Sequence, residues 1–390
     1  YPDWGVTIVE GGPEGLKATT AAGPRDMGTE GIRALPEDLP PAIPLELATK
    51  ASISRDIQQV LELGSMVRAS KSWVVGGERS HSGKPLLAND MHLAMNAPNI
   101  WFLVGLHAPG FDVVGMSIPG APGVVAGHSN AEAWGYTNAM VDDSDFFIEE
   151  VNPENPEEYL APGGFGTFGT WEEIIPVRGK DPVILEIAYT HHGPIITPVE
   201  DRTGDQLLAF QWVAHFPSGT FQAVEDMGRA QNAEEFIFAM RQFDNPHQNV
   251  IFADTAWAWG YWMGGQVPNR ASLPPPHLPV PGWNGEHDWD GWVPFEEKPH
   301  VLMPARGYIA TANNAQGRGE ATEKVSDGGW FGPYRAQRIS ELIEARDRHD
   351  AESLLEIQMN TGSAFLDRHI GHAVEAFSAA GLDDLAEGLE

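Results

Sequence analysis

Ser70-Lys71-Ser72-Trp73-Val74-Val75-Gly76-Gly77, followed by Lys84-Pro85-Leu86-Leu87-Ala88-Asn89-Asp90-Met91-His92-Leu93, marks the point where the character of the chain changes. Before it the sequence is polar and rich in Pro, Gly and Glu; after it, short apolar runs alternate with turn residues. The stretch itself reads as two strands, residues 72–75 and 85–89, joined by a turn around Ser82-Gly83. A small hydroxyl residue, Ser70, stands at the boundary.

Upstream, Pro36, Pro40, Pro41 and Pro44 predict an extended, weakly packed segment. Ile53, Ile57, Val60 and Leu61 then fall at helical spacing, with Gly64 as a stop, so a short amphipathic helix is expected over 52–63. Downstream, strands are expected at 100–107, 111–116, 124–126, 133–136 and 145–151, with a loop-rich insertion over 152–170. Further strands are expected at 184–189, 194–196 and 207–212. Asn232 with Glu235 forms a helix-capping pair, opening a helix with Phe236, Met240 and Phe243 on one face. Strands follow at 249–252 and 257–262, then a Pro-rich loop at 274–285 and a strand at 307–311. From Tyr334 onward Ile339, Leu342, Ile343, Leu354, Leu355 and Ile357 predict helices. Strands first and helices late favour a layered α/β (α+β) protein over a βαβ wound sheet.

Composition narrows the function classes. The chain of 390 residues can bury a large core, and its 43 Gly, 31 Pro and 13 Trp suit many strands and turns. Fifty-five acidic against 24 basic residues give a net charge of −31, which repels phosphate backbones and argues against nucleic acid as a partner. The bland reading of that charge is a solubility or salt adaptation of the surface. With no cysteine, disulfides, thiolate zinc sites and cysteine catalysis are excluded. No run of about 18 apolar residues predicts a membrane span, and Tyr1-Pro2-Asp3-Trp4 does not read as a signal peptide.

A serine hydroxyl needs a base to become a nucleophile. No Gly-x-Ser-x-Gly elbow occurs here. The other solution makes the serine the first residue of a chain, so that its own α-amine, with an ordinary pKa of about 7.7, takes the proton. Ser70 is then a nucleophile exposed by cleavage of the Ala69–Ser70 bond. A glycoside hydrolase is a rival suggested by the many carboxylates and tryptophans, but the sequence singles out no carboxylate pair. Zinc at His191-His192 or His369/His372 is set aside, because adjacent histidines on a strand face opposite ways and no carboxylate or third histidine lies at useful spacing.

The motifs after Ser70 occur together in one known order. Ser70-x-x-Trp73-Val-Val and Gly83-Lys-Pro-Leu-Leu-Ala-Asn-Asp-x-His92-Leu are followed by Pro119-Gly-Ala-Pro-Gly-Val-Val-Ala-Gly-His128 and Ala133-Trp-Gly-Tyr-Thr-Asn138. Then come Asp142-Asp-Ser-Asp145, His192-Gly-Pro194, Gln248-Asn249-Val-Ile-Phe-Ala-Asp254, Gly307-Tyr-Ile-Ala-Thr-Ala-Asn-Asn314 and Gly332-Pro-Tyr-Arg335. This series resembles the catalytic β-chain of the penicillin acylase family of N-terminal-nucleophile (Ntn) amidohydrolases. The resemblance implies a four-layer αββα sandwich with two antiparallel sheets, incomplete in this chain. It also implies hydrolysis of a linear amide, as in penicillins, acyl-homoserine lactones or lipopeptides, with no organic cofactor.

Residue by residue, the resemblance makes Ser70 the nucleophile and base, and Asn249 an oxyanion donor through its side chain. Asn138 supplies the second donor from its backbone N–H. His92 orients the amine, and Arg270 helps fix the amine network or the substrate. Asp142, Ser144 and Asp145 match a structural Ca2+ site, whose oxygen ligands suit that ion. Near Trp101, Phe146 and Trp212 an apolar acyl pocket is expected. Residues 1–69 are expected to be the end of an α-chain plus a spacer removed on maturation, and 70–390 the catalytic domain. The chain is expected to be a fragment whose α-chain partner, forming an αβ heterodimer, is mostly absent, and the compartment to be the periplasm or the exterior. Ala69 stands where the family often has glycine and Lys71 where it often has asparagine, so Lys71 is expected beside the amine or in solvent. The alternative on the same scaffold is an inactive binding paralogue, in which Ala69–Ser70 stays intact.

Overall fold

The computed structural model describes residues 69–93, 97–197, 206–271, 273, 275–326, 329–380 and 382. The helix expected at 52–63 and the spacer upstream of Ala69 lie outside these residues. Ala69–Val75 is the central strand of a three-stranded antiparallel sheet, flanked by Leu86–His92 and Tyr308–Thr311. Trp73 faces Ala88 on one side and Ala310 on the other. A strand paired on both edges and covered on both faces reads as a continuous apolar run, and Trp73, Val74 and Val75 are all fully buried.

A second sheet holds seven antiparallel strands in the order His300–Leu302, Trp259–Gly264, Gln248–Asp254, Glu132–Asn138, Ala126–Ser129, Phe111–Ser117 and Phe102–Ala108. The two-residue period of a strand sorts its side chains between faces. Val74 and Ile309 of the first sheet meet Ile251, Tyr261 and Met263 of the second in the middle layer. Trp73, Val75 and Tyr308 turn the other way, onto Ile339 and Ile343 of the helix Tyr334–Glu344 and Leu354 and Ile357 of the helix Ala351–Gln358. Trp134, Tyr136, Val250 and Phe252 face the helices Thr220–Arg229 and Ala233–Met240. The layers are therefore helix, sheet, sheet, helix, as the family resemblance implies.

Asn89 locks the sheets together. Its amide accepts from the Tyr136 N–H at 3.2 Å and donates to the Tyr136 and Lys71 carbonyls at 2.8 and 3.1 Å. This close approach needs Gly135, since a Cβ there would lie 2.6 Å from Asn89 Cβ.

Most expected strands and late helices are present, and Asn232 caps its helix by accepting from the Glu235 N–H at 3.0 Å. Three readings are corrected. Residues 152–170 are not a loop: Asn155–Ala161 and Gly164–Thr167 form a hairpin, followed by the strand Gly169–Ile175. Pro162 and Gly163, whose φ is 87°, make its turn, so the residues that suggested a loop are turn residues between strands. Val280–Pro281, in the expected Pro-rich loop, pairs in parallel with Phe147 and Ile148. The helix Thr220–Arg229 was not expected; it starts without a side-chain cap, and its buried stripe is Ala223, Val224 and Met227.

Candidate active site

Parity along Ala69–Val75 aims Ser70, Ser72 and Val74 at the middle layer and Lys71 at the helices. Ser70 is 7% exposed and lines a cavity of about 580 Å3. Apolar walls come from Trp101, Ile118, Phe216, Phe221, Val224 and Phe243, and Asn138 also borders it. Of the residues expected near the pocket only Trp101 lines it. Phe146 is buried with Ile148 and Leu208 in a separate cluster, and Trp212 stacks on Phe210 at 6.0 Å. Lys71 lies neither beside the Ser70 nitrogen nor in open solvent. Its Nζ donates to the Gln358 carbonyl at 3.3 Å, at a helix C-terminus, where a cation is favoured, and lies 3.6 Å from Asp90.

The Ser70 N–H donates to Asn313 Oδ1 at 2.8 Å, and Asn313 Nδ2 donates to the Asn138 carbonyl at 3.0 Å. Asn313 is fully buried with φ of 62°, a left-handed conformation that Asn adopts more readily than most residues. The Asn138 carbonyl also accepts from Asn249 Nδ2 at 3.3 Å. Asn249 faces the middle layer. Tyr261 O–H donates to its Oδ1 at 2.8 Å, and its Nδ2 also reaches Thr137 Oγ1 at 3.1 Å. Burial raises the Tyr261 pKa, so that hydroxyl stays a donor. A continuous chain of hydrogen bonds thus runs from Ser70 through Asn313 and the Asn138 carbonyl to Asn249 and Tyr261.

Arg335 completes the surroundings of Ser70. Its Nη1 donates to the Ser70 carbonyl at 2.9 Å, and its Nη2 to the Ala312 carbonyl at 2.6 Å and Asn313 Oδ1 at 3.1 Å. Asn313, Arg335 and Tyr261 were not singled out in the sequence. The first two lie in the quoted stretches 307–314 and 332–335, whose shared order was the available signal; Tyr261 carried none.

Neither His92 nor Arg270 hydrogen-bonds to Ser70 among the described residues. His92 pairs with Ala69 at the end of its strand, is half exposed, and directs Nε2 at Asp90 Oδ2, 2.7 Å away. Arg270 is buried among the residues given to calcium: Nε donates to Asp145 Oδ2 at 2.7 Å, Nη1 to the Asp142 carbonyl at 3.2 Å and Nη2 to Asp142 Oδ1 at 3.4 Å. Trp289 Nε1 also donates to Asp145 Oδ2, at 2.6 Å. Ser144 starts the strand Ser144–Glu149, opposite Trp212. A divalent ion on these carboxylates would sit against a guanidinium, so the donor set fits Arg270 better than Ca2+.

The argument that set zinc aside at His191-His192 also fails. Both residues lie in a turn after Val183–Thr190, not on a strand, and their rings are 3.7 Å apart. Folding brings Asp288 within 3.0 Å of His192 Nε2. His369 instead contacts Tyr334 and Phe365, and His372 is exposed beside Glu375.

Two facing antiparallel sheets between helices, with a serine entering the middle layer, define an Ntn-hydrolase fold. The same fold is found in a thermostable penicillin G acylase from Alcaligenes faecalis, with a TM-score of 0.66 at 22% identity over 78% of this chain and 55% of that one. The penicillin amidase family model matches residues 10–387, and the chain belongs to that family. It is 32% identical over 335 residues to acyl-homoserine lactone acylase QuiP of Pseudomonas aeruginosa, covering 82% of this chain and 38% of that protein. It is also 30% identical over 293 residues to penicillin G acylase of Escherichia coli, covering 75% of this chain and 34% of that protein. The chain therefore spans under two fifths of the length of these curated relatives.

Proposed function

We propose that this chain carries the catalytic serine of an amidohydrolase that cleaves a linear amide with an apolar acyl group through an acyl-enzyme on Ser70. The observation that carries this reading is the position of Ser70, in the lining of a largely apolar cavity with Asn313 on its nitrogen. Hydrolysis of the Ala69–Ser70 amide leaves a carboxylate on Ala69 and frees the Ser70 α-amine. Asn313 Oδ1 holds one amine hydrogen, which leaves the lone pair for the Ser70 hydroxyl proton. The Arg335 guanidinium nearby favours the neutral amine over the ammonium.

Ser70 Oγ then attacks the acyl carbonyl, and negative charge develops on its oxygen. Asn249 Nδ2 exchanges its long bond to the Asn138 carbonyl for this oxyanion, with the Asn138 N–H as second donor. The proton held on the amine passes to the leaving nitrogen as the C–N bond breaks, giving a free amine and an ester on Ser70. Water repeats the sequence on the ester and releases a carboxylic acid. His92 and Arg270 take no part in these steps.

The substrates we assign are acylated amines of the kind named for the relatives, penicillins and acyl-homoserine lactones, with the acyl group in the cavity. Phe102 and Leu103 on the sheet's edge strand, and Ile174 and Ile184 on the hairpin beyond, are more than half exposed. Such apolar edges support an α-chain partner packed on this body. No helix of the described residues is long and apolar enough to cross a membrane, and we place the protein in the periplasm or outside the cell, as the family resemblance implies. Intact mass and N-terminal sequencing of the full-length gene product test the reading. A new terminus at Ser70, absent in Ser70→Ala, is expected; no cleavage in a folded, complete protein would favour the binding paralogue.

A further inference from the structure

Six side chains from four parts of the chain converge beside the turn that follows Val183–Thr190. His192 lies flat on Phe147, with ring centroids 3.7 Å apart and planes 3° apart. Its Nδ1 is 2.8 Å from Glu149 Oε1 and its Nε2 is 3.0 Å from Asp288 Oδ1. His191 Nδ1 is 3.1 Å from Tyr159 Oη, while its Nε2 is buried with no hydrogen-bond partner among the described residues. One ligand atom each from His191, His192 and Asp288 lies within 4.8 Å of the others. Gly193 makes the turn possible: its φ is 120°, and a Cβ there would lie 2.3 Å from the Phe210 carbonyl oxygen.

We propose that His191 Nε2, His192 Nε2 and the Asp288 carboxylate form a binding site for a divalent transition-metal ion of the zinc type. Two imidazoles and one carboxylate suit Zn2+ or Co2+, whereas Ca2+ prefers all-oxygen shells. Ligands about 2.0 Å from a tetrahedral ion stand about 3.3 Å apart, and the 3.0 Å between His192 and Asp288 is already close to that. The outer shell is also in place. Glu149 accepts from His192 Nδ1–H, the carboxylate–histidine–metal arrangement, and with the ion bound Tyr159 Oη would accept from His191 Nδ1–H as it does from the His191 backbone N–H, leaving Nε2 for the ion. The Asp288 side chain is 38% exposed, which gives the ion an entrance and a water a place in the fourth position.

The site ties the 183–194 ribbon to the strand Ser144–Glu149 and to the loop before Trp289–Trp292. None of its ligands lines the Ser70 cavity, so the site stands apart from the acylase reading.

The test titrates untagged, metal-stripped protein with Zn2+ by calorimetry and with Co2+ by visible absorption. One Zn2+ per chain and tetrahedral Co2+ bands are expected. Asp288→Asn, nearly isosteric and partly exposed, and His191→Ala should each weaken Zn2+ binding by about tenfold to a hundredfold while the apo fold, checked by circular dichroism, is kept. No saturable binding by the parent protein, or unchanged affinity in either folded variant, overturns the site and leaves a hydrogen-bonded cluster.

Discussion

The Ser70 nitrogen donates to Asn313 Oδ1 across 2.8 Å, linking the first strand of the body to a residue 243 positions later. Because Asn313 Nδ2 also holds the Asn138 carbonyl, one buried amide sets both the nucleophile's nitrogen and the strand that borders the oxyanion position. A hydrogen bond to a group that becomes charged is worth about 1.5–3 kcal/mol. Asn313→Ala should therefore lower kcat by about tenfold to a hundredfold with little change in KM. Its left-handed φ adds a modest stability cost, so activity is compared on folded enzyme. A KM effect alone would mean that Asn313 shapes the pocket and not the amine.

Tyr261 and Asn249 give a graded test of the oxyanion site. Asn249→Ala should leave Ala69–Ser70 cleavage largely intact and lower kcat/KM by about a hundredfold to a thousandfold, the usual cost of one lost oxyanion donor. Tyr261→Phe keeps the donor but releases Oδ1 from its only fixed partner among the described residues. It should give a smaller loss, about tenfold, since it removes orientation and not the donor. Equal activity of Asn249→Ala and the parent enzyme would remove Asn249 from the reaction.

The strands were legible because strand parity and burial act locally, as in Ser72–Val75 and in Val250-Ile251-Phe252 after Asn249, whereas their arrangement in two facing sheets followed from the family resemblance. The surroundings of Ser70 were not legible in the same way. Arg335 reaches the Ser70 carbonyl across 265 positions, and no periodicity encodes such a meeting. Arg270 differs again, since the family resemblance puts it in the amine network or on the substrate while its guanidinium lies between Asp142 and Asp145. The histidine turn was misjudged because parity was applied to residues that leave the strand. Residues 152–170 were misjudged because a hairpin needs the same Pro and Gly that mark a loop.

Arg270 and calcium make competing predictions at Asp142 and Asp145. With the guanidinium buried against both carboxylates, Arg270→Met should destabilise the fold by about 3–5 kcal/mol in urea melts, the cost of breaking a buried pair. Millimolar Ca2+ added to metal-stripped protein should leave Tm unchanged, because the counter-charge is already present. A saturable rise in Tm with Ca2+, lost in Asp145→Asn, would return these oxygens to the ion.

Glu132 predicts how stability depends on pH. It is almost fully buried at the edge of a second cavity, and neither of its carboxylate oxygens has a hydrogen-bond partner among the described residues. Burial first, then the charges of Asp254 and Glu235, push its pKa up to about 9. The folded protein thus keeps this proton between about pH 4.5 and 9, whereas the unfolded chain releases it. Stability from this group is full below the unfolded value and is lost as pH rises towards 9. Glu132→Gln cannot ionise and keeps the shape, so it should match the parent protein near pH 4 and exceed it at pH 8–9. At about 1.4 kcal/mol per pH unit crossed, the difference is several kcal/mol in order of magnitude. Urea melts of both proteins from pH 4 to 9 measure it, and a stability gap that does not widen with pH would mean that Glu132 is ionised in the fold and paired with a cation.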